Sequence, residues 1–490
     1  MYNNLQAIVL AAGKSSRFIS RQSKLIEKIC GQEMILYITK LLEKMKIDTT
    51  LVIGHKREVI ESLVKAHHNN EINFAFQEEQ KGTGHAVLCS REFWKKDHIL
   101  ILNGDVPLIT EQIINSLFQK HLQNNAVISF VIAHNIDPQM KSYGRVVQNG
   151  NSIKIIEAKD ETEERKEDFC INAGIYLINK NFLEIAINEL YESKVTKELY
   201  ITDLIEIANI KNQKIETFSV DFDFIRGINT LQELWAVEQI KRAEIIKYWM
   251  DCGIRFSTAQ NNHIDLNVTI GSGTSIGSGV QIYKNSKIGN NCVIESFSVI
   301  DGSIIEDDVV IKSHTLIENS TVKNNCVIGS FTHIHSGSSV DSNSIISNFV
   351  EVKKSDIGSG VKIKHLTYIG DSEIGNNVNI GAGTVTCNYN GFKKEKTIIQ
   401  EDAFIGSNNS LVAPVVIGKG AYTAAGSVIT SDVPENSMAI ARTEQINKKD
   451  YAQVIREKFN DASTLLSMTG AISSSPVILS EVRSTESKDD

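Results

Sequence analysis

Between residues 5 and about 230, short β-rich apolar runs alternate with segments whose apolar residues recur every three or four positions. The runs are "AIVLAA", "TTLVIGH", "NFAFQ", "HILILNGD" and "AVISFVIAH", and the amphipathic segments between them are "MILYITKLLEKMK", "REVIESLVKAH" and "EQIINSLFQKHL". This alternation predicts βαβ units around a mostly parallel sheet with helices on both faces, and ligands at the carboxyl ends of its strands. Residues 230–252, "TLQELWAVEQIKRAEIIKYWMDC", keep the helical period and contain no Gly or Pro, so a connecting helix is expected there.

Beyond 260 the period becomes six. Ile270, Ile276, Ile282, Ile288, Ile294 and Ile300 open the series, and after a one-residue slip it resumes at Ile305, Ile311 and Ile317. It continues through Val322, Ile328, Ile334, Val340, Ile346 and Val352, then Ile357, Ile363, Ile369, Ile374 and Ile380, and after a loop from Ile399 to Ile429. Neither a helix nor an alternating sheet yields a hexad. A parallel β-helix does, because each short strand points one branched residue inward and then turns a corner on Gly, Asn or Ser. "GSGTSIGSG" (271–279) has the look of a dinucleotide loop, but its spacing is wrong for one and its glycines fall at hexad corners, so no cofactor is assigned to it. The expected division is a nucleotide-binding domain over 1–229, a linker helix over 230–252, a hexapeptide β-helix over 253–447, and a disordered tail over 448–490 that ends "SSSPVILSEVRSTESKDD".

Composition narrows the function. A net charge of −8 and a pI near 5.9 argue against general polyanion binding, so nucleic acid is not an expected partner and phosphate recognition has to be local. Seven scattered cysteines without a C-x-x-C pair fit reduced thiols better than a disulfide frame or a zinc site. The opening "MYNNLQAIVLAAGKSS" lacks the pattern of a signal peptide and no run approaches membrane-spanning length, which leads to the expectation of a cytoplasmic protein without a membrane anchor.

Candidate chemistry in the first half clusters at strand ends. "LAAGKSSRF" (10–18) follows the first strand, with small residues where a backbone must approach a ligand, then Lys14, Arg17 and, further on, Lys24. Backbone N–H groups with cations beside them suit a triphosphate, although this is not a Walker loop. "QEEQKGTGHA" (77–86) offers amides and a Gly-Thr pair for reading a base edge. Asp105 in "LNGDVPL" is placed where a carboxylate can hold Mg²⁺, and Asn172 and Asn229 are neutral oxygen donors of the kind sugar hydroxyls and magnesium accept.

These motifs, in this order and followed by hexads, resemble the bacterial family of bifunctional N-acetylglucosamine-1-phosphate uridylyltransferase and glucosamine-1-phosphate N-acetyltransferase, over roughly residues 5–447. The resemblance implies a Rossmann-like nucleotide-diphospho-sugar transferase domain followed by a left-handed β-helix. It implies that UTP and N-acetylglucosamine 1-phosphate react with release of pyrophosphate, with Mg²⁺ held by Asp105 and Asn229. Leu10, Ala11, Ala12 and Gly13 would line the nucleotide, Arg17 and Lys24 would steady its phosphates, and Gln77, Gly82 and Thr83 would read uracil. Gly144, Glu157 and Asn172 would bind the sugar. In the family's loop a second Gly usually stands where this chain has Ser15, and a Leu-Pro pair where it has Gln22-Ser23.

For the β-helix, "HLTYIGDSEIGNNVNIGAGTVTCNYNG" matches the family's acetyltransferase segment. Hexad phase alone does not decide where His365 points, since strict alternation turns it partly inward unless the chain bends there. The resemblance makes His365 the general base. Lys353, Tyr368 and Asn379 would hold the amino sugar phosphate, Asn388 and Tyr389 would flank the reacting groups, and Ala382, Ser407, Ala425 and Arg442 would contact acetyl-coenzyme A. A homotrimer is implied. "HIHSG" (333–337) replaces the family's "RLRPG", so His335 stands where an arginine grips the sugar phosphate, and weaker phosphate binding is expected. His-x-His also offers two metal ligands, without an evident third in the sequence. Two further readings are a uridylyltransferase whose β-helix serves trimerisation, and a regulatory subunit. The second is disfavoured by the intact set Lys24, Asp105, Asn172 and Asn229.

Overall fold

The apolar run that opens the chain becomes the middle of a mixed sheet. The elements run β1 (Leu5–Ala11), α1 (Met34–Lys44), β2 (Asp48–Ile53), α2 (Arg57–His67), β3 (Asn73–Phe76), α3 (Thr83–Cys89), β4 (His98–Asn103), α4 (Glu111–Gln123) and β5 (Ile128–Asn135). Then follow β6 (Arg145–Asn149), β7 (Ser152–Ile156), β8 (Phe169–Asn179), α5 (Lys180–Ala186), α6 (Asp203–Ile210) and β9 (Ile215–Ser219). The order across the sheet is β9-β5-β8-β4-β1-β2-β3, with β6 on β8 and β7 on β6. The structure is a computed structural model, and it describes residues 2–14, 18, 23–135, 143–150, 152–160 and 169–469.

All five apolar runs are strands, and β1 is parallel to both β2 and β4. Ala7, Ile8 and Val9 are fully buried, as a central strand covered on both faces requires. β8 breaks the parallel pattern, lying antiparallel to β4, β5 and β6, and β7 lies antiparallel to β6. The register of β1 on β4 pairs Leu10 with Asn103, so the loop after β1 and the turn carrying Asp105 emerge side by side. A helix α7 (Leu231–Asp251) follows, opened by a capping box in which Thr230 Oγ1 accepts from the Glu233 N–H and the Glu233 carboxylate accepts from the Thr230 N–H. The first coil is tied back to the sheet domain where Leu266 N–H donates to Cys30 O at 2.9 Å.

From Arg255 to Ala439 the chain winds into a left-handed parallel β-helix with three sheets of 11, 10 and 9 short strands. Every inward hexad position from Ile270 to Ile429 is buried, Thr423 included. One corner is turned on left-handed Asn, Asp or Gly, for example Asn291, Asn325, Asn343 and Asn377 with φ between 55° and 62°. The second departs from the expected small residues over five successive coils. Phe297, His314, Phe331, Phe349 and Leu366 occupy it, all at positive φ. Stacking between coils offsets the backbone strain, with ring centroids 5.2, 4.8 and 5.2 Å apart from Phe297 to Phe349.

The chain divides into two compact units, Met1–Ile440 and Ala441–Asp490. The segment from 448, expected to be disordered, instead forms α8 (Tyr451–Thr469). Tyr451, Val454, Ile455 and Phe459 recur there with helical spacing, a period outweighed in the sequence by the Ser-rich end beyond it, which lies outside the described residues. All seven cysteines are free. No helix among the described residues is long and apolar enough to cross a membrane.

Candidate functional site

The loop after β1, the turn after β4 and the N-terminus of α3 close around a cavity of about 510 Å³ lined by Leu10, Ala11, Ala12, Gly13, Lys24, Gln77, Gly82, Thr83, Asp105 and Asn229. Gln77 is buried, and its Nε2 donates to Gly82 O at 3.0 Å, which fixes the amide against the α3 entrance. Gly82 has φ +102°, and a Cβ there would lie 2.4 Å from Leu199 O, so this position requires glycine. Thr83 Oγ1 accepts from Ile201 N–H at 3.1 Å. Arg17, Ser15 and Gln22 lie outside the described residues.

Lys24 is the pivot of the site. Its Nζ donates to Asp105 Oδ2 at 2.5 Å, to Ile228 O at 2.7 Å and to Asn229 Oδ1 at 2.9 Å. Asp105 and Asn229 thus converge on a single cation, here an ammonium. Hard oxygen donors facing one point are what Mg²⁺ takes, so the donor set fits that ion.

The sugar set is also brought together. Asn172 N–H donates to Gly144 O at 2.9 Å, and a Cβ on Gly144 would lie 3.7 Å from Glu157 Oε2. Burial raises the Glu157 carboxyl above its ordinary range, while Thr202 Oγ1 donates to it at 2.7 Å. Several residues that sequence reasoning did not select belong here. Gln80 Nε2 donates to Ala12 O at 2.6 Å and lines the cavity, as do Asn103, Lys159 and Glu198. Gln80 shares the "QEEQ" motif with Gln77 and was within reach of the sequence; Lys159 follows no periodic signal. Tyr143 Oη accepts from Gly227 N–H at 2.8 Å, and burial raises its phenol.

In the β-helix the bend at Leu366, with φ +47°, decides the orientation of His365: the chain turns immediately after it, and the imidazole is exposed. One backbone position recurs on successive coils, marked by a carbonyl that accepts from the next coil's corner residue. Asn348, His365, Ala382 and Ser407 make this bond to Leu366, Gly383, Asn408 and Gly426 at 3.2, 3.2, 2.7 and 2.8 Å. Register carries the column to Ala425, since Ile405 pairs with Thr423. His365, Ala382, Ser407 and Ala425 therefore share one edge of the solenoid.

Around the corner, Glu351 pairs with Tyr368 and Lys353 with Gly370. Asn388 Nδ2 donates to Asp371 Oδ2 at 2.5 Å and lies 3.4 Å from Tyr368 Oη, so Asp371 joins the expected Lys353, Tyr368 and Asn388. Asn379 sits on the strand beside the one ending in His365. Tyr389 is exposed, with its hydroxyl donating to Gly391 O at 2.7 Å in its own loop. Arg442 belongs to the second unit.

His335 lies next to Lys353 in register and does not stand alone. Its Nε2 is 2.8 Å from Glu351 Oε1, and His333 Nε2 is 2.8 Å from Glu318 Oε2. The two imidazoles stack with centroids 3.5 Å apart. Burial first, then His333, and more weakly Lys353 hold the His335 imidazole below its ordinary pKa, against the pull of Glu351. The expectation that the histidines lack a third ligand is corrected by Glu318, which the previous coil supplies.

Comparison with known proteins agrees with both halves. Residues 6–266 match the nucleotidyl transferase family, 264–340 the GMPPB C-terminal domain, and 396–431 the bacterial transferase hexapeptide repeats. The chain is 41% identical to the bifunctional protein GlmU of Thermosipho melanesiensis over 449 residues, covering 91% of this chain and 97% of the relative. It is 38% identical to the protein of the same name from Clostridium botulinum over 456 residues, covering 92% and 98%. With the one from Thermodesulfovibrio yellowstonii it shares 41% over 463 residues, covering 93% and 100%.

Proposed function

The chain belongs to the bifunctional GlmU family of nucleotidyl transferases, and from that premise we propose how its own residues carry two consecutive steps of UDP-N-acetylglucosamine synthesis. The observation that carries the reading is that one chain presents both a strand-end cavity with converging Lys24, Asp105 and Asn229 and a hexapeptide edge that exposes His365, with Tyr368 hydrogen-bonded to Asn388 around the next corner.

In the β-helix, glucosamine 1-phosphate is acetylated. Its amine attacks the thioester carbonyl of acetyl-coenzyme A, His365 takes the amine proton, and the departing thiolate recovers a proton from the imidazolium. Lys353, Tyr368 and Asn379 hold the amino sugar phosphate, Asn388 and Tyr389 flank the reacting groups, and the coenzyme runs along the edge of Ala382, Ser407 and Ala425.

In the sheet domain, a phosphate oxygen of N-acetylglucosamine 1-phosphate attacks the α-phosphorus of UTP, and pyrophosphate leaves. The work is positioning and electrostatics, with no need for a protein nucleophile. Gln77, Gly82 and Thr83 read the base, Leu10 to Gly13 approach the nucleotide through their backbone, Arg17 and Lys24 neutralise phosphate charge, and Gly144, Glu157 and Asn172 orient the sugar. Asp105 and Asn229 would hold Mg²⁺, and the ion would supply charge neutralisation at the phosphates.

A homotrimer in the cytoplasm is part of the same proposal. The exposed aromatic ladder Phe297, Phe331 and Phe349, running to Leu366 beside His365, supports a neighbouring subunit at that edge. The test is to assay purified protein for thiol release from acetyl-coenzyme A with glucosamine 1-phosphate, and for pyrophosphate release from UTP. Both activities are expected. Absence of thiol release at millimolar sugar phosphate would leave a uridylyltransferase with a structural β-helix.

A further inference from the structure

We propose that Glu318, His333 and His335 form a site for a divalent transition ion of the zinc class on the outer face of the β-helix, and that this ion takes a phosphate oxygen of the amino sugar phosphate. The second half of the proposal rests on the acetyltransferase reading above; the first does not.

Register builds the cluster. In the ten-stranded sheet, Leu316 pairs with His333 and His333 with Glu351, while Ile317, Ile334 and Val352 point inward on the same three strands. The residues flanking those inward positions therefore form two outward columns, Leu316-His333-Glu351 and Glu318-His335-Lys353. The contacts cross between columns: His333 to Glu318 at 2.8 Å and His335 to Glu351 at 2.8 Å. One ligand atom from each of Glu318, His333 and His335 lies within 4.8 Å of the others. Bonds of about 2.0–2.1 Å to a tetrahedral ion separate its ligand atoms by roughly 3.3 Å, so binding turns the stacked imidazoles and Glu318 toward a common point.

The chemistry suits the same ion. Two imidazoles and a carboxylate are a three-ligand set that leaves a position open for a water or a substrate oxygen. Glu351, hydrogen-bonded to His335, can orient that imidazole from behind or complete the shell. A metal takes imidazole as a neutral ligand, and the two carboxylates of Glu318 and Glu351 then face one ammonium, that of Lys353, a balance that favours a cation. Register puts Lys353 beside His335, and Tyr368 beside Glu351 on the following coil. A bound metal would thus add positive charge beside the Lys353 ammonium.

The test uses the full-length chain, stripped with chelator and titrated with cobalt(II). A stoichiometric ion with strong visible d–d absorption is expected. It should persist in Asp105→Asn and vanish in the double variant His333→Ala, His335→Ala, whose folding is checked by retained uridylyl transfer. Absence of that absorption in the wild-type chain, or its survival in the double variant, overturns the metal site. Zinc reloading should lower KM for glucosamine 1-phosphate by about tenfold with little change in kcat, the scale of one charge-assisted contact. His335→Arg should keep a low KM without metal. Equal KM in stripped and reloaded protein overturns the phosphate role, while loss of acetyl transfer in every form counts against the acetyltransferase reading and leaves the cobalt titration to judge the metal.

Discussion

Replacing Asp105 by asparagine probes the nucleotide site where its charges are most constrained. Lys24 Nζ lies 2.5 Å from Asp105 Oδ2, and the two side chains are 10% and 20% exposed. At that separation and an effective dielectric near 20, their attraction is about 7 kcal/mol before desolvation. Desolvation offsets most of it, yet removing one partner of a buried pair still costs about 3–5 kcal/mol, because the other charge stays behind. Asparagine keeps a carbonyl acceptor for Nζ, and Ile228 O and Asn229 Oδ1 remain in place, so the lower end, about 3 kcal/mol, is expected. The catalytic loss has a separate origin, since Mg²⁺ would keep neutral oxygen donors alone. A drop of about 10²- to 10³-fold in kcat/KM for pyrophosphate release is expected, as for other principal electrostatic contacts. The assay titrates Mg²⁺ against pyrophosphate release, with thiol release from the same preparation as a folding control and a thermal melt alongside. Unchanged Mg²⁺ dependence and turnover would refute the metal assignment, and an unchanged melt would refute the buried pair.

Further outcomes follow from other positions. Gly82→Ala would set a Cβ 2.4 Å from Leu199 O at φ +102°, moving the turn that holds Gln77; KM for UTP should rise about tenfold or more while acetyl transfer is kept, and an unchanged KM would separate this turn from the nucleotide. Burial, and then His98, depress His121 to about 4. The unfolded chain binds this proton from about pH 6.5 downward, so stability is lost as pH falls from there to about 4. The melting temperature of wild-type protein should therefore drop further between pH 7 and pH 5 than that of His121→Gln, and equal drops would contradict the buried neutral imidazole.

Much of this architecture was legible because it rests on local periods. Five apolar runs became five strands, and each inward residue of the hexads is buried, since a β-helix places its core by simple counting. Contacts across coils were harder to read. A coil here is 17 residues in some turns and 18 in others, as the pairs Ile317 with Ile334 and Ile334 with Val352 illustrate. Glu318 therefore meets His333 across 15 residues, a separation that no single period announces. Orientation of His365 hinged on a left-handed leucine at the next position, a conformation for which leucine carries no sequence signal. The sequence suggests Lys24 as a phosphate ligand, while its place between Asp105 and Asn229 depends on three segments far apart in the chain.

The central claim is that one chain carries two independent chemistries, with His365 as the base of one of them. The most direct measurement is a paired assay of His365→Ala, recording thiol release from acetyl-coenzyme A with glucosamine 1-phosphate and pyrophosphate release from UTP with N-acetylglucosamine 1-phosphate. Because the imidazole is exposed at a solenoid edge, folding should be unaffected. Thiol release should fall by about 10²- to 10⁴-fold, the worth of a general base, while pyrophosphate release stays at the wild-type rate. Thiol release at the wild-type rate, or an equal fall in both activities, would contradict the account.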